Sequence, residues 1–508
     1  MILSVLLHFY QPTSQQFDIL ERIVNESYRP LLKIFLENPK ANATFNVNAG
    51  LLELFEKNGY HDLIDGLKQL LERGQIELTG CAKYHPILPL IPAEEIKRQI
   101  TLNSDGLKTF LGKDLKFDGF FPPELAYSPK VAKIIEELGY KWMALPMVSF
   151  GPQMPEFDRL YKLKKSNLML YFRHKWVSNV ILSGYVRSRE EFKKWLSEED
   201  AQYMVAVMDA ETFGHHRPGL VEVLASLIKT EGIETLRVSD LDGKFRKVDE
   251  VEPREATWSN SEQDFWLDKE QKIARHTPFL LWSDPNNPIH KLQWELTNLA
   301  IKTAGKLSDE HKARHMLDMA IASDQFWWAS AKPWWSLEMI EAGAFELVQT
   351  IKIATDDLKI EEAAQGLYRK ILDQAFEWQR TGYIRKMHLE ASDTKNLPPF
   401  KERAPKEWYN QIILEFTDEM QKAANRRDFE AAIKWRDAIY KLDAGVDVYD
   451  ILHVINELHT VRRIPSLKPF LVQTDKDIPQ FAKRYLESLT PEEIKEGRER
   501  LKKQGFKI

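Results

Sequence analysis

The sequence predicts an α/β protein whose N-terminal part is a parallel β-sheet with helical crossovers and whose C-terminal part is α-helical. Seven short apolar runs alternate with helix-like segments over residues 1–245, and this alternation is typical of parallel strands joined by helices. Seven such strands fit a barrel, complete or incomplete, and also an open doubly wound sheet. From residue 300 onward the apolar residues follow an almost wholly helical pattern.

Each predicted strand is an apolar run of the kind that parallel sheets bury on both faces. The seven runs cover residues 2–9, 43–49, 75–80, 119–124, 141–147, 168–173 and 203–211. The helix-like segments that separate most of them are Phe17–Asn38, His61–Arg73, Ala93–Leu111, Pro129–Leu138, Arg189–Ser197 and Leu220–Thr230.

The length of 508 residues predicts about three domains. We divide the chain into a sheet domain (1–245), an aromatic-rich connecting region (246–300) and a helical domain (301–508). Residues 311–335 predict one helix that becomes strongly aromatic and ends near Pro333. The segment 415–442 resembles the small helical hairpin of nucleotide-excision-repair proteins, but an ordinary antiparallel helical pair is the favoured interpretation.

Composition excludes several classes of protein. A hydrophobic content of 43% and a charged content of 29% are typical of globular domains, and a net charge of -5 disfavours a nucleic-acid-binding surface. The single cysteine, Cys81, permits no internal disulfide and fits a reducing, cytoplasmic location. The apolar N-terminus lacks the basic region of a signal peptide, and no apolar stretch is long enough to span a membrane.

Carboxylates follow two of the predicted strands directly. Glu124 ends the run GFFPPE, while Asp209 and Glu211 end the run YMVAVMDAE. Because the carboxyl ends of parallel strands meet at one edge of a sheet, we expect these groups to converge, as a glycosidase requires. On chemistry alone either Asp209 or Glu211 could donate the proton, since both lie on one face of a strand. The other polar residues at predicted strand ends are His8, Asn46, Asn48, Glu77, Arg173 and His174.

Five motifs resemble, in order, the five conserved regions of glycoside hydrolase family 57. They are HFYQP (8–12), GQIELTG (74–80), FFPPELAYS (120–128), MDAETFGHH (208–216) and ASDQFWWAS (322–330). The resemblance covers about residues 1–335. It implies an incomplete seven-stranded (β/α) barrel followed by an α-helical domain that completes the active-site cleft. It also implies a retaining enzyme of the α-amylase or amylopullulanase type that acts on α-glucans and needs no metal or cofactor.

The resemblance assigns roles to individual residues. Glu124 matches the nucleophile and Asp209 the general acid/base, whose pKa burial and neighbouring carboxylates would raise. Residues that match substrate-binding positions are His8, Gln11, Glu77, Glu211, Asp324 and Trp327. The position of His85 after the second motif and of Trp258 among the aromatic residues adds these two as substrate-binding candidates.

The chain departs from the family at Tyr10, where many members carry a histidine. Tyrosine still donates a hydrogen bond to a sugar hydroxyl, but unlike histidine it does not take up a further proton to become a cation at neutral pH. We expect only two or three of the other tryptophans to contact glucan, because aromatic residues at helical spacing usually belong to a core. These further candidates are Trp266, Trp282, Trp328, Trp334 and Trp335.

Three alternatives stay open. A 4-α-glucanotransferase or glucan branching enzyme would use the same residues with a sugar hydroxyl in place of water. A metal-dependent enzyme resembling polysaccharide deacetylases would bind a divalent cation through Asp209, His215, His216 and His8, but this leaves Glu124 without a role. A non-catalytic glucan-binding protein would carry a degenerate site. The predicted partner is an α-glucan, and we expect no binding to nucleic acid or membrane. Formation of a homo-oligomer through the C-terminal helices is left open.

Overall fold

The computed structural model of the chain describes residues 1–151, 153–182, 189–190, 192–193, 201–217, 219–259, 277–331, 334–391, 399–404, 406–454 and 458. The strands within these residues are β1 Ile2–Phe9, β2 Ala43–Val47, β3 Ile76–Leu78, β4 Gly119–Phe120, β5 Trp142–Pro146, β6 Leu160–Leu163, β7 Met169–Arg173, β8 Tyr203–Asp209, β9 Glu234–Thr235 and β10 Val248–Val251. The helices are α1 Phe17–Ile23, α2 Arg29–Glu37, α3 Ala49–Lys57, α4 His61–Glu72, α5 Ala93–Leu111, α6 Pro129–Glu137, α7 Lys175–Leu182, α8 Leu220–Leu227, α9 Pro288–Ala304, α10 Lys312–Ala320, α11 Asp324–Trp327, α12 Leu337–Ala354, α13 Leu358–Arg380, α14 Tyr383–Ala391, α15 Phe400–Arg403, α16 Lys406–Asn425 and α17 Phe429–Ala444.

Seven of the strands form an incomplete parallel barrel, which confirms the predicted fold class. Parallel ladders join β3, β2, β1 and β8 in that order, and β4, β5 and β7 in a second group. Gly80 connects the groups, because its N–H donates to Gly119 and its carbonyl accepts from Phe121 at 2.8 and 2.9 Å. Between β7 and β8 the His174 N–H donates to the Val205 carbonyl (2.8 Å) without a regular ladder.

Glycine is required where β3 meets β4. A Cβ on Gly80 would lie 2.2 Å from the Tyr140 hydroxyl, and a Cβ on Gly119 would lie 2.0 Å from the Trp142 ring. The aromatic rings therefore occupy the space of the missing side chains and allow the two strand groups to approach each other.

The structure adds elements that the sequence pattern did not indicate. Strand β6 pairs antiparallel with β7, and β10 pairs parallel with β6 inside a region predicted to be irregular. Both strands carry charged residues (LYKL and VDEV), so neither forms an apolar run. Helices α3 and α7 were also missed. Most of the predicted helix Arg189–Ser197 lies outside the described residues.

The predicted single helix over 311–335 is wrong. Helix α10 ends at Ala320, and the separate short helix α11 begins at Asp324. The Ser323 N–H donates to the carbonyl of His85 at 3.2 Å instead of continuing the helix. Asp318, near the end of α10, is held by the guanidinium of Arg98 at 2.7 and 2.8 Å. These contacts with other segments interrupt the helix and set the place of Asp324.

The described residues up to 391 form one compact unit, and those from 399 onward form another. In the second unit α16 and α17 pack through a core that includes Phe416, Trp435 and Leu442. The segment 415–442 is therefore a pair of packed helices, which both interpretations of this segment predict. Among the residues that the structure describes, no helix is long and apolar enough to cross a bilayer.

Candidate active site

Three carboxylates converge at the carboxyl edge of the barrel. Glu124 lies in the 3-10 turn Pro123–Leu125 after β4, Asp209 is the last residue of β8, and Glu211 lies in the turn that follows. The charge of Asp209 raises the pKa of Glu124, and the charges of Asp209 and Glu124 raise that of Glu211. The three carboxylates are therefore near enough for the charge of one to act on another, in keeping with the convergence expected from the strand ends.

The backbone at Glu124 is strained. Glu124 has φ 59° and Leu125 has φ 47°, a left-handed conformation that costs non-glycine residues on the order of 1 kcal/mol each. Trp258 holds this turn twice: its backbone N–H donates to the Glu124 carbonyl (3.1 Å), and its indole N–H donates to Glu124 Oε2 (2.7 Å). The turn therefore fixes the direction of one carboxylate.

Burial dominates the ionisation of the carboxylates. It raises the pKa of Glu124 to about 8, although the hydrogen bond from Trp258 favours the ionised form. Burial likewise raises the pKa of Asp209 to about 6, while the positive charge of Arg173 lowers it. The pKa of Glu211 is raised too, first by burial and then by Asp209. Near neutral pH the site therefore keeps at least one carboxyl group protonated.

Arg173 is a charged group of the site to which sequence reasoning gave no role. It ends β7, its Nε donates to the Val207 carbonyl at 2.9 Å, and its Nη2 donates to Asn179 Oδ1 at 3.0 Å. Its guanidinium carbon lies 5.7 Å from the centre of the Trp258 ring. Arg173 thus links the surroundings of Asp209 to the tryptophan that holds Glu124.

His8 is a neutral hydrogen-bond acceptor toward the site. Its Nδ1 lies 2.6 Å from Asn46 Oδ1, and the Asn46 amide donates to Thr79 Oγ1 at 2.8 Å. Because this orientation of Asn46 presents its oxygen, Nδ1 of His8 carries the hydrogen and Nε2 is left to accept. Burial lowers the pKa of His8 to about 4. The ring stacks on Phe121 and His85, with centres 4.7 and 5.2 Å apart.

Tyr10 positions Asp324. Its hydroxyl donates to Asp324 Oδ2 at 2.9 Å, and its ring stacks on His85 with centres 4.1 Å apart. Nδ1 of His85 lies 3.1 Å from Ser323 Oγ, while its buried Nε2 has no protein partner. The departure from the family at Tyr10 therefore keeps a hydrogen-bonding role, and His85 offers an unused nitrogen to a ligand.

Gln11 and Glu211 meet through Tyr28. The Gln11 amide donates to the Tyr28 hydroxyl at 3.2 Å, and this hydroxyl lies 3.1 Å from the Tyr10 carbonyl and 3.3 Å from Glu211 Oε2. Tyr28 ends the π-helical turn Val24–Tyr28 between α1 and α2. Such turns are frequent at functional sites, but they leave no compositional signal, which is why sequence reasoning missed Tyr28.

Residues 5–252 match the sequence profile of glycosyl hydrolase family 57. This part of the chain belongs to that family. An alpha-amylase of Pyrococcus horikoshii is 32% identical over 256 residues, which are 47% of this chain and 40% of that protein. An alpha-amylase of Pyrococcus abyssi is 31% identical over 155 residues, 30% of this chain and 23% of that protein. The chain spans less than half the length of these curated relatives.

Solved structures share the fold of the family 57 domain. The 4-alpha-glucanotransferase from Thermococcus litoralis superposes with a TM-score of 0.58 at 18% identity, over 69% of this chain and 59% of that chain. A GH57-type branching enzyme from Pyrococcus horikoshii superposes with a TM-score of 0.53 at 15% identity, over 72% of this chain and 94% of that chain. At these identities the likeness establishes the fold alone.

Other predicted site residues have described contacts that do not involve the three carboxylates. Glu77 Oε1 accepts from the Thr44 hydroxyl (2.7 Å) and the Ser239 N–H (3.0 Å), and none of its described hydrogen bonds reaches the carboxylates. Trp327, in the same short helix as Asp324, stacks on Trp334 with ring centres 4.7 Å apart. The further tryptophans have different settings: Trp328 and Trp334 are half-buried, Trp282 and Trp335 are fully buried, and Trp266 lies outside the described residues.

The histidines of the metal-binding alternative have separate partners. His215 Nδ1 lies 2.8 Å from Glu26, His216 Nε2 lies 3.9 Å from Glu211, and His8 is bound to Asn46. Within the part of the chain that the structure describes, no group of three or more His, Cys, Asp or Glu is arranged to hold a metal ion.

Trp258→Phe tests the hydrogen bond from the Trp258 indole to Glu124. Among the described residues, this is the only indole N–H that donates to Glu124. The change keeps an aromatic ring beside Phe121 but removes a donor that favours the ionised carboxylate. We expect kcat/KM to fall about 10- to 100-fold, and its acidic limb to move to higher pH. Trp335→Phe removes an indole hydrogen bond to Gln379 and is the matched control. An unchanged pH profile for Trp258→Phe would contradict the assigned role.

Proposed function

We propose that the protein is a retaining glycosidase of the α-amylase type that cleaves α-1,4 linkages of α-glucans. The observation that carries the proposal is the pair Glu124 and Asp209, which are buried just after β4 and at the end of β8 and are close enough for the charge of Asp209 to raise the pKa of Glu124. The alpha-amylases among the relatives support the choice of α-glucan as substrate.

The two carboxylates would act in two steps. In the first step Glu124 attacks the anomeric carbon, the bond to the leaving sugar breaks, and the proton of Asp209 moves to the leaving oxygen. In the second step Asp209 takes a proton from water, the water oxygen attacks the same carbon, and Glu124 leaves as a carboxylate. Two inversions at one carbon give a product with the anomeric configuration of the substrate.

The order of the pKa values of Glu124 and Asp209 bears on this mechanism. Attack needs Glu124 ionised and Asp209 protonated, yet burial raises the pKa of Glu124 to about 8 and that of Asp209 only to about 6. In the form of the site that reacts, the proton therefore lies on Asp209, which has the lower pKa, and not on Glu124. Positive charge that develops on the sugar ring beside Glu124 favours this form, as does the N–H of Trp258.

A transglycosylase is the second candidate. A 4-alpha-glucanotransferase of Thermococcus litoralis is 32% identical over 139 residues, which are 27% of this chain and 20% of that protein. In this reaction a sugar hydroxyl replaces water in the second step, while Glu124 and Asp209 keep their roles. The difference lies in which acceptor reaches the covalent intermediate.

Product analysis separates these activities. We expect maltoheptaose to yield shorter oligosaccharides whose new reducing ends are α-anomers, as chromatography and NMR of fresh products would show. Longer products would indicate transfer, and maltotriose from pullulan would indicate the α-1,6 activity of an amylopullulanase. β-Anomers, or no product from either substrate, would overturn the proposal.

We also propose a cytoplasmic location, which the buried and unpaired Cys81 supports. Association of the protein through its C-terminal helices stays a prediction.

A further inference from the structure

A cavity of about 330 Å³ adjoins the candidate active site. It lies between the segment 10–14 after β1 and the helices α10, α11 and α12. Tyr10 and Asp324 line it, and the charge of Asp324 also raises the pKa of Glu124. The hydrogen-bonded pair of Tyr10 and Asp324 is therefore common to the cavity and to the surroundings of the catalytic carboxylates.

The polar lining of the cavity includes a buried hydrogen-bond acceptor that no protein group uses. Gln325 is 4% exposed, its Nε2 donates to the Ala320 carbonyl at 3.0 Å, and its Oε1 has no protein partner. A buried acceptor left without a donor costs about 1–3 kcal/mol, so this oxygen indicates a ligand that donates. Glu346 adds a carboxylate to the same lining.

The remaining lining defines the class of ligand. Met316, Met319 and Met339 give the cavity an apolar, adaptable surface. The ammonium of Lys83 forms an ion pair with Glu53 at 2.7 Å, so it does not neutralise the negative charges of Asp324 and Glu346. These charges make the cavity unfavourable for an anion. A neutral ligand with hydroxyl donors and an apolar face fits this lining, and the volume falls at the lower end of the usual range of about 300–1,000 Å³ for ligand sites.

We propose that this cavity is a subsite that binds a glucosyl unit of the α-glucan chain away from the bond that is cleaved, an inference that rests on the proposed function. Gln325 Oε1 and Glu346 accept hydrogen bonds from sugar hydroxyls, and the methionines contact the C–H face. The Tyr10–Asp324 pair connects this unit to the chain at Glu124. Long substrates gain binding free energy from the subsite, and short substrates do not reach it.

Two variants with matched controls test the subsite. A Cβ on Gly343 would lie 2.4 Å from Gln325 Cβ and 2.8 Å from its Oε1, so Gly343→Ala displaces the acceptor. Gly366 is also helical but has nothing within 4 Å of such a Cβ, so Gly366→Ala is its control. Glu346→Ala removes the exposed carboxylate without repacking, and Glu362→Ala is its control on α13.

The measurement is kcat/KM over a series of malto-oligosaccharides up to maltoheptaose. We expect Gly343→Ala and Glu346→Ala to lose about tenfold more for maltoheptaose than for the shortest oligosaccharide cleaved, while both controls match the wild type at every length. An equal loss at all lengths, or no loss, would overturn the subsite. Thermal unfolding checks that Gly343→Ala is folded, and Glu346→Ala decides the question if it is not.

A failure of the proposed function can be distinguished from a failure of the subsite. If the wild-type protein cleaves no α-glucan, the proposed function fails, and calorimetric titration with maltoheptaose then tests the cavity by itself. Weaker binding to Glu346→Ala than to Glu362→Ala would support the subsite, and equal binding would exclude it.

Discussion

Glu124→Gln is expected to lower the turnover of maltoheptaose by about 10⁴- to 10⁶-fold. Glutamine keeps the volume of the side chain and still accepts the hydrogen bond from the Trp258 indole at 2.7 Å, but its amide cannot form the glycosyl–enzyme bond. The surrounding hydrogen bonds therefore persist while the nucleophile is lost. Initial rates measured with purified protein check this, and Glu362→Gln on the exposed face of α13 is the control.

Azide identifies the face of the sugar ring that Glu124 attacks. In Glu124→Gly the vacated space admits azide to the anomeric carbon, and we expect the product to be a β-glycosyl azide because only one inversion takes place. Activity above about 1% in Glu124→Gln, or no azide product in Glu124→Gly, would contradict the role of nucleophile.

The same substitution should stabilise the protein at alkaline pH. Burial raises the pKa of Glu124 from 4.5 to about 8, so between these values the unfolded chain releases a proton that the folded protein retains. Stability contributed by this group is complete below pH 4.5 and is lost as the pH rises through 8. Relative to wild type, Glu124→Gln should therefore gain on the order of 1–3 kcal/mol between pH 4 and pH 9. Denaturant unfolding at both values measures this, and an equal difference at both would refute it.

The barrel could be predicted because its strands are buried on both faces. Runs such as 2–9 and 203–211 are mostly apolar, and the structure places β1 and β8 there. Strands β6 and β10 left no such signal, because both carry charged residues, which β10 exposes at the edge of the second sheet. The helix predicted over 311–335 failed for a different reason: contacts with distant segments end α10 at Ala320, and no local pattern records them.

The site was predictable only as far as strand ends determine it. Glu124, Asp209 and Glu211 follow apolar runs, so their convergence was available from the pattern. The contribution of Arg173 depends on where its guanidinium points, and that of Tyr28 on a π-helical turn. Neither the direction of a side chain nor a π-helical turn produces a periodic pattern in the sequence.

Asp209→Asn should show a loss that depends on the leaving group. Cleavage of maltoheptaose needs a proton on the departing oxygen, so we expect its rate to fall about 10²- to 10⁴-fold. α-Maltosyl fluoride departs without a proton, and attack by Glu124 on this substrate should be nearly unaffected. Azide should then replace water in the second step and give an α-glycosyl azide, since Glu124 has already inverted the carbon once.

Glu211→Gln is the decisive comparison, because Asp209 and Glu211 are both buried, interact with each other and have raised pKa values. Glu211 shares a hydrogen bond with Tyr28, whereas the charge of Arg173 acts on Asp209. If Asp209 is the acid/base, Glu211→Gln will slow maltoheptaose and α-maltosyl fluoride to a similar extent. If the loss depends on the leaving group in Glu211→Gln but not in Asp209→Asn, Glu211 is the acid/base in place of Asp209. The role of Glu124 as nucleophile would be unaffected by this result.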